Sequence, residues 1–227
     1  MDQKHTDRKY DAELSDLRER LLMMAGRVEQ MIKQAVESVV TQDIELARKT
    51  IAMDRQVNRA EIETDELCLV ILAKWQPMAT DLRFITLAFK MVTDLERIGD
   101  LAVNICERAI DLGSAPPLKP YIDIPRMAQI AESMIHDAVD AFVERDAEKA
   151  QDVIDRDDEV DNLYRRIFDE LIQIVREDEA KVERGIQVQA VAKLLERMAD
   201  HCTNLAEQVI FLVKGEDVRH IGKLGKQ

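Results

Sequence analysis

One polar motif occurs twice in this chain. Asp94-Leu95-Glu96-Arg97-Ile98-Gly99-Asp100, followed by Asn104 and Glu107, recurs as Leu194-Leu195-Glu196-Arg197-Met198-Ala199-Asp200, followed by Asn204 and Glu207. Glu96, Asp100, Asn104 and Glu107 each map onto the same residue type 100 positions later. Oxygen donors at i and i+4 on a helix can reach one ion or bridge two, and they favour hard cations such as Mg²⁺, Mn²⁺ or Fe²⁺/³⁺. The plainer alternative is a solvated face with local ion pairs, each worth about 0.2–0.5 kcal/mol. Repetition at one fixed offset favours a face with a function over that alternative.

At about 100° per residue, Asp100, Asn104 and Glu107 sit about 40°, 80° and 20° from Glu96. Leu95, Gly99, Ala102 and Cys106 centre near about −90° on the same scale, so the oxygens flank the apolar seam instead of filling it. Gly99 and Ala199 are small and would let a neighbouring helix approach. The acidic series Asp54, Glu61, Glu63, Asp65 and Glu66 lies on that helix and can complete a ligand shell. The candidate metal ligands are therefore Glu96, Asp100, Glu196 and Asp200, with Asn104 and Asn204. His201 stands opposite Leu101 in the repeat and reads as incidental. Other chemistries lack their parts. Glu132 and His136 are one residue too far apart for a di-iron Glu-x-x-His pair. Phosphate-binding and dinucleotide-binding loops are missing, and no nucleophile sits on a strained turn near a histidine.

The elements that must position these oxygens are helices. From Leu14 the apolar residues Leu14, Leu17, Leu21, Met24, Val28, Met31 and Ala35 alternate spacings of 3 and 4, which predicts a helix with a narrow seam. Asp43 is an N-cap for a second helix to about Lys74, which Pro77 ends. Thr80 and Asp81 are good starts for a third, running to about Leu112. Four of the five prolines fall between Gly113 and Pro125, the one clear linker. The second half repeats the plan. Asp146 matches Asp43 as a cap, and Asp157, Val160 and Asp161 match Asp54, Val57 and Asn58 at an offset of 103. The last helix carries Val191, Leu195, Met198, Cys202, Leu205, Val209 and Leu212. The expected architecture is all-α: two tandem three-helix bundles over residues 10–113 and 126–215, a Pro-rich linker at 114–125 and a polar tail at 216–227.

Composition agrees and excludes other classes. The 227 residues are 34% charged and 4% aromatic, with 7 glycines, as long helices with few turns require. A formal net charge of −13 argues against nucleic-acid binding and permits a cation or a basic protein partner. The longest apolar run, Leu67 to Ala73, falls far short of the roughly 20 residues that span a bilayer. Met1-Asp2-Gln3-Lys4 opens without an apolar leader. Cys68, Cys106 and Cys202 are scattered, with no Cys-x-x-Cys pair, and read as core residues in a reducing compartment, so a cytosolic location is expected.

Gln76-Pro77-Met78-Ala79-Thr80-Asp81-Leu82-Arg83, the two Glu-Arg-x-x-Asp motifs and Val213-Lys214-Gly215-Glu216-Asp217-Val218-Arg219-His220 together resemble the PhoU family of bacterial phosphate-transport accessory proteins. The resemblance covers nearly the whole chain. It implies two three-helix bundles, a homodimer, and a negative regulator of the phosphate-starvation response instead of an enzyme. It also implies partners: the ATPase subunit of a phosphate ABC transporter and a sensor histidine kinase, with membrane contact only through them. Some members bind metal clusters at such Glu/Asp pairs, here Glu96/Asp100 and Glu196/Asp200. A divalent-metal-binding bundle with a storage or metal-sensing role is the alternative. Arg83 and Arg97 are candidate partner-facing residues.

Overall fold

The computed structural model describes residues 8–113 and 117–215; the expected polar tail and the linker residues 114–116 lie outside that range. Seven α-helices and one short 3₁₀ turn make up the order: α1 Arg8–Thr41, α2 Ile44–Trp75, α3 Ala79–Leu112, α4 Asp123–Glu144, α5 Ala147–Asp155, α6 Asp157–Glu177 and α7 Val182–Lys214. Asp43 caps α2 by accepting from the Leu46 amide at 2.9 Å. Asp146 caps α5 in the same way through the amides of Glu148 and Lys149. Gln76 closes α2 in the left-handed region ahead of Pro77, and α3 then starts at Ala79 with no side-chain cap. Asp81 lies in the first turn of α3, where the helix dipole favours a carboxylate.

The helices form two three-helix units, α1–α3 and α4–α7, as the repeat requires. In the second unit the expected middle helix is interrupted at Arg156. The cause is a tertiary tether. The Arg156 guanidinium donates to Asp137 at 2.6 Å and Ser133 at 2.9 Å on α4, and its Nε takes the Asp152 carbonyl at 3.2 Å. That carbonyl is the acceptor the Arg156 amide would use in a continuous helix, and the amide turns to Val153 instead.

The units do not keep separate cores. α1 packs on α4, and α3 packs antiparallel on α7, so the buried apolar residues form one cluster. Phe84 of α3 and Phe142 of α4 stack across the junction with ring centroids 4.5 Å apart. The narrow seam expected for α1 is accordingly wider: Ala25, Ile32, Val36 and Val39 are buried beside it. α2 stays on the outside, with a thin stripe of Ala47, Thr50, Val57, Thr64, Cys68 and Ile71. Each fully buried Leu, Ile, Met or Phe side chain contributes about 1.5–3 kcal/mol, so the inner helices α1, α3, α4 and α7 hold the fold together.

Candidate functional site: two acidic clusters

The outer helices carry the oxygens that complete the repeated motif. In the first unit α2 meets α3 at Gly99, where a β-carbon would lie 3.4 Å from Val57, an ordinary contact. This approach sets Asp54 and Glu61 of α2 beside Glu96 and Asp100, with Asn58 bonded to Asp54 and Asp65 next to Glu61, one turn further along. Burial, then repulsion from Asp100, pushes the Asp54 carboxyl up. Burial raises Glu61 and Glu96 as well, with further pushes from Asp65 and Asp100 on the one and from Asp100, Glu61 and Asp54 on the other. Burial alone raises Asp65. The Asn58 amide donates to Asp54 at 2.8 Å, yet Asp54 Oδ1, Asn58 Oδ1 and Asp65 Oδ1 are buried with no hydrogen-bond partner. Arg97, exposed at the rim, partly offsets the repulsion on Glu61 and Glu96.

The second cluster uses the same positions with different chemistry. Asp157 and Asp161 of α6 face Glu196 and Asp200 of α7. Burial first, then repulsion from Asp200, Asp161, Asp158 and Glu196, raises the Asp157 carboxyl to about 6. The offset of 103 puts Tyr164 and Phe168 where the first unit has Glu61 and Asp65. The offset of 100 puts Lys193 where it has Thr93. Lys193 donates to Glu196 at 2.5 Å and lies 5.4 Å from the Tyr164 ring centroid, a cation–π distance. Tyr164 is itself anchored by Gln189 at 2.8 Å. The second cluster thus contains its own cation, although Glu196 Oε2 is still buried without a partner.

Neither Asn104 nor Asn204 shares a hydrogen bond with its cluster among the described residues. His201 has a partner of its own outside the repeated motif's pattern. Its Nδ1 lies 3.0 Å from Asp94 Oδ1, joining the two motif helices across the units. Arg83 and Arg97 are both exposed on α3. In the sequence, Asp54, Asn58, Asp157 and Asp161 stand out only as repeat markers or as part of an acidic series. Their constant offset of 103 was the signal that ties them to the motif.

The first cluster matches a hard cation in donor chemistry: five carboxyls and one amide, three of whose oxygens are buried and orphaned. Among the described residues no three Asp, Glu, His or Cys groups converge as a finished ion site. Holding an ion would require side-chain rotation, which exposed and half-buried carboxylates can make.

The sequence matches the model of the PhoU domain twice, over residues 21–109 and 124–209. The chain belongs to the PhoU family. Each match covers one three-helix unit and one acidic cluster. The chain is 40% identical, over 96% of its length and 90% of the relative's, to a protein of Pseudomonas aeruginosa named phosphate-specific transport system accessory protein PhoU homolog. The fold superposes on the crystal structure of PhoU from Pseudomonas aeruginosa with a TM-score of 0.85 at 38% identity, covering 91% of this chain and 100% of that one. It superposes equally, with a TM-score of 0.85 at 27% identity, on the phosphate transport system regulatory protein PhoU of Streptococcus pneumoniae, covering 92% of this chain and 99% of that one.

Proposed function

We propose that this chain is an accessory regulator of phosphate transport, acting as an adaptor and not as an enzyme. It represses the phosphate-starvation response when phosphate is plentiful, by linking the ATPase subunit of the phosphate ABC transporter to a sensor histidine kinase. The observation that carries this reading is the end-to-end match, over 96% of the chain, to a protein named as an accessory of the phosphate-specific transport system. Among the described residues no helix is long and apolar enough to cross a membrane, which suits a cytosolic homodimer that meets the membrane through its partners. Arg83 and Arg97 supply part of the partner-facing surface. Deleting the gene and measuring phosphate-regulated alkaline phosphatase in phosphate-rich medium tests the reading. High, derepressed activity is expected; activity that stays repressed would overturn it.

A second reading, a metal-binding bundle with a storage or sensing role, is favoured by the buried orphaned oxygens of Asp54, Asn58 and Asp65. Glu96, Asp100, Asp54, Asn58 and Glu61 would hold a divalent or iron-type ion such as Fe, Mn or Mg. The ion would supply the positive charge that offsets their mutual repulsion. The two readings are compatible if the ion orders the surface that partners meet. Metal analysis of the purified protein, before and after chelation, separates storage from a structural ion. Many ions per chain point to storage, and one or two to a structural role.

A further inference from the structure

The antiparallel pair α3 and α7 forms two grooves, one at each end, related by the internal repeat. At one end the groove is stitched shut. Arg108 donates to Gln187 at 3.1 Å and pairs with Asp111 at 3.1 Å. At the other end the residues in the equivalent positions are Gln208, Leu87 and Phe211. Leu87 offers Gln208 no acceptor or donor, and Gln208 Oε1 is buried without a partner. Phe211 is 42% exposed where its counterpart Asp111 closes an ion pair. Among the described residues nothing closes this groove, which has an apolar floor of Leu87, Phe211 and Leu212.

Its edge is basic. Arg83, Lys90 and Arg97 lie along the open groove and its continuation, and all three are exposed. None has an ion-pair partner among the described residues; Arg83 makes a single 3.5 Å hydrogen bond to Thr80. Seven-residue steps place their α-carbons about 10.5 Å apart and within about 40° on one face of the helix. The counterpart positions hold Glu183, Ala190 and Arg197, so the strip belongs to the open groove alone. Asp65 and Asp94 line the same continuation as Lys90 and Arg97, and there His201 engages Asp94 at 3.0 Å.

We propose that this groove docks an acidic amphipathic helix of a partner protein. Charge complementarity decides the occupant. In a chain of net charge −13, Arg83 and Lys90, which have no acidic partner among the described residues, together with Arg97 at the rim of the first acidic cluster, stand in register along an apolar groove and select a segment with carboxylates at matching seven-residue spacing and an apolar face between them. A small anion cannot bridge cations about 10.5 Å apart, whereas a helix of about four turns spans the roughly 21 Å from Arg83 to Arg97. Gln208, whose amide can turn to donate or accept, then gains a partner.

The inference rests on the adaptor reading and names the chemistry of one of its partners. The test uses the full-length protein in its native cell, with p-benzoylphenylalanine in place of Thr86, an exposed groove residue. After irradiation the crosslinked peptide is mapped by mass spectrometry. The expected product is a helical segment of another protein carrying Asp or Glu at seven-residue spacing. Its yield should fall about tenfold or more in Arg83→Glu/Lys90→Glu and less in Arg83→Gln/Lys90→Gln, with circular dichroism unchanged in at least one of the two. No crosslink, a crosslink to lipid, to a second copy of this chain or to a segment without acidic spacing, or a yield indifferent to both variants would overturn the groove. Derepressed phosphatase in the deletion with no crosslink removes the groove and keeps the adaptor. A mapped acidic helix with repressed phosphatase keeps the groove and removes the phosphate role.

Discussion

The two acidic clusters occupy equivalent places on equivalent helices, yet they balance charge in opposite ways. The first gathers Asp54, Glu61, Asp65, Glu96 and Asp100 and leaves three buried oxygens unpaired. The second trades Glu61 and Asp65 for Tyr164 and Phe168 and gains Lys193, which holds Glu196 at 2.5 Å. The difference teaches that a duplicated motif preserves geometry without preserving chemistry. Glu-x-x-x-Asp sets where the oxygens stand, and the residues one or two turns away decide whether they need an external cation. On this account the first cluster recruits an ion, whereas in the second Lys193 neutralises Glu196 and leaves Asp157, raised to about 6, under burial and repulsion.

The largest expected effect comes from removing the internal cation. Lys193→Met should open the second cluster to metal and raise the number of Mn²⁺ ions bound per chain by one. The gain in affinity there should be at least tenfold, because unit charges about 4 Å apart at an effective dielectric of about 20 interact by about 4 kcal/mol. Equilibrium dialysis checks it, and unchanged stoichiometry would break the comparison.

A smaller effect concerns pH. Asp157 titrates near 6 in the fold, above the ordinary aspartate value. The folded state therefore binds a proton more readily than the unfolded chain between about pH 4 and 6, and stability from this group falls as pH rises through that window. Asp157→Asn should stabilise the protein at pH 7 by on the order of 1 kcal/mol, after allowing for partial solvent exposure, and leave pH 4 unchanged. Urea unfolding at the two pH values reads the difference. A loss of stability at pH 7 would show that the ionised carboxylate has a stabilising partner.

The smallest effect tests the packing that brings α2 to α3. The second unit already carries Ala199 where the first has Gly99. A β-carbon at residue 99 would meet Val57 at 3.4 Å, an ordinary contact. Gly99→Ala should raise stability by about 0.5–1 kcal/mol, the helix-propensity difference, without weakening metal binding. A destabilised variant in thermal unfolding would mean that the helices are closer than this packing implies.

Much of the fold was legible in the sequence because it rests on local signals. Seam periodicity, the Asp43 and Asp146 caps and Pro77 each act within a few residues, and the repeat multiplied their weight. The merged core was not legible. Ala25, Ile32 and Val36 widen the α1 seam only because α4 lies against it. The break at Arg156 was hidden for a similar reason, since its cause is a guanidinium held by Asp137 and Ser133 on another helix. At the clusters, the repeat offset located Glu96, Asp100, Glu196 and Asp200 and aligned Asn58 with Asp161. It gave no warning of Lys193, which lies outside the motif and pairs with an unremarkable Thr93. His201 looked incidental because its partner Asp94 belongs to the other unit.

The most direct test of the account is where the ion binds. Mn²⁺ binding to the chelated full-length protein should show one tight class of site per chain, lost in Asp54→Asn/Glu96→Gln and retained in Asp157→Asn/Glu196→Gln. Retention in the first variant with loss in the second would contradict it.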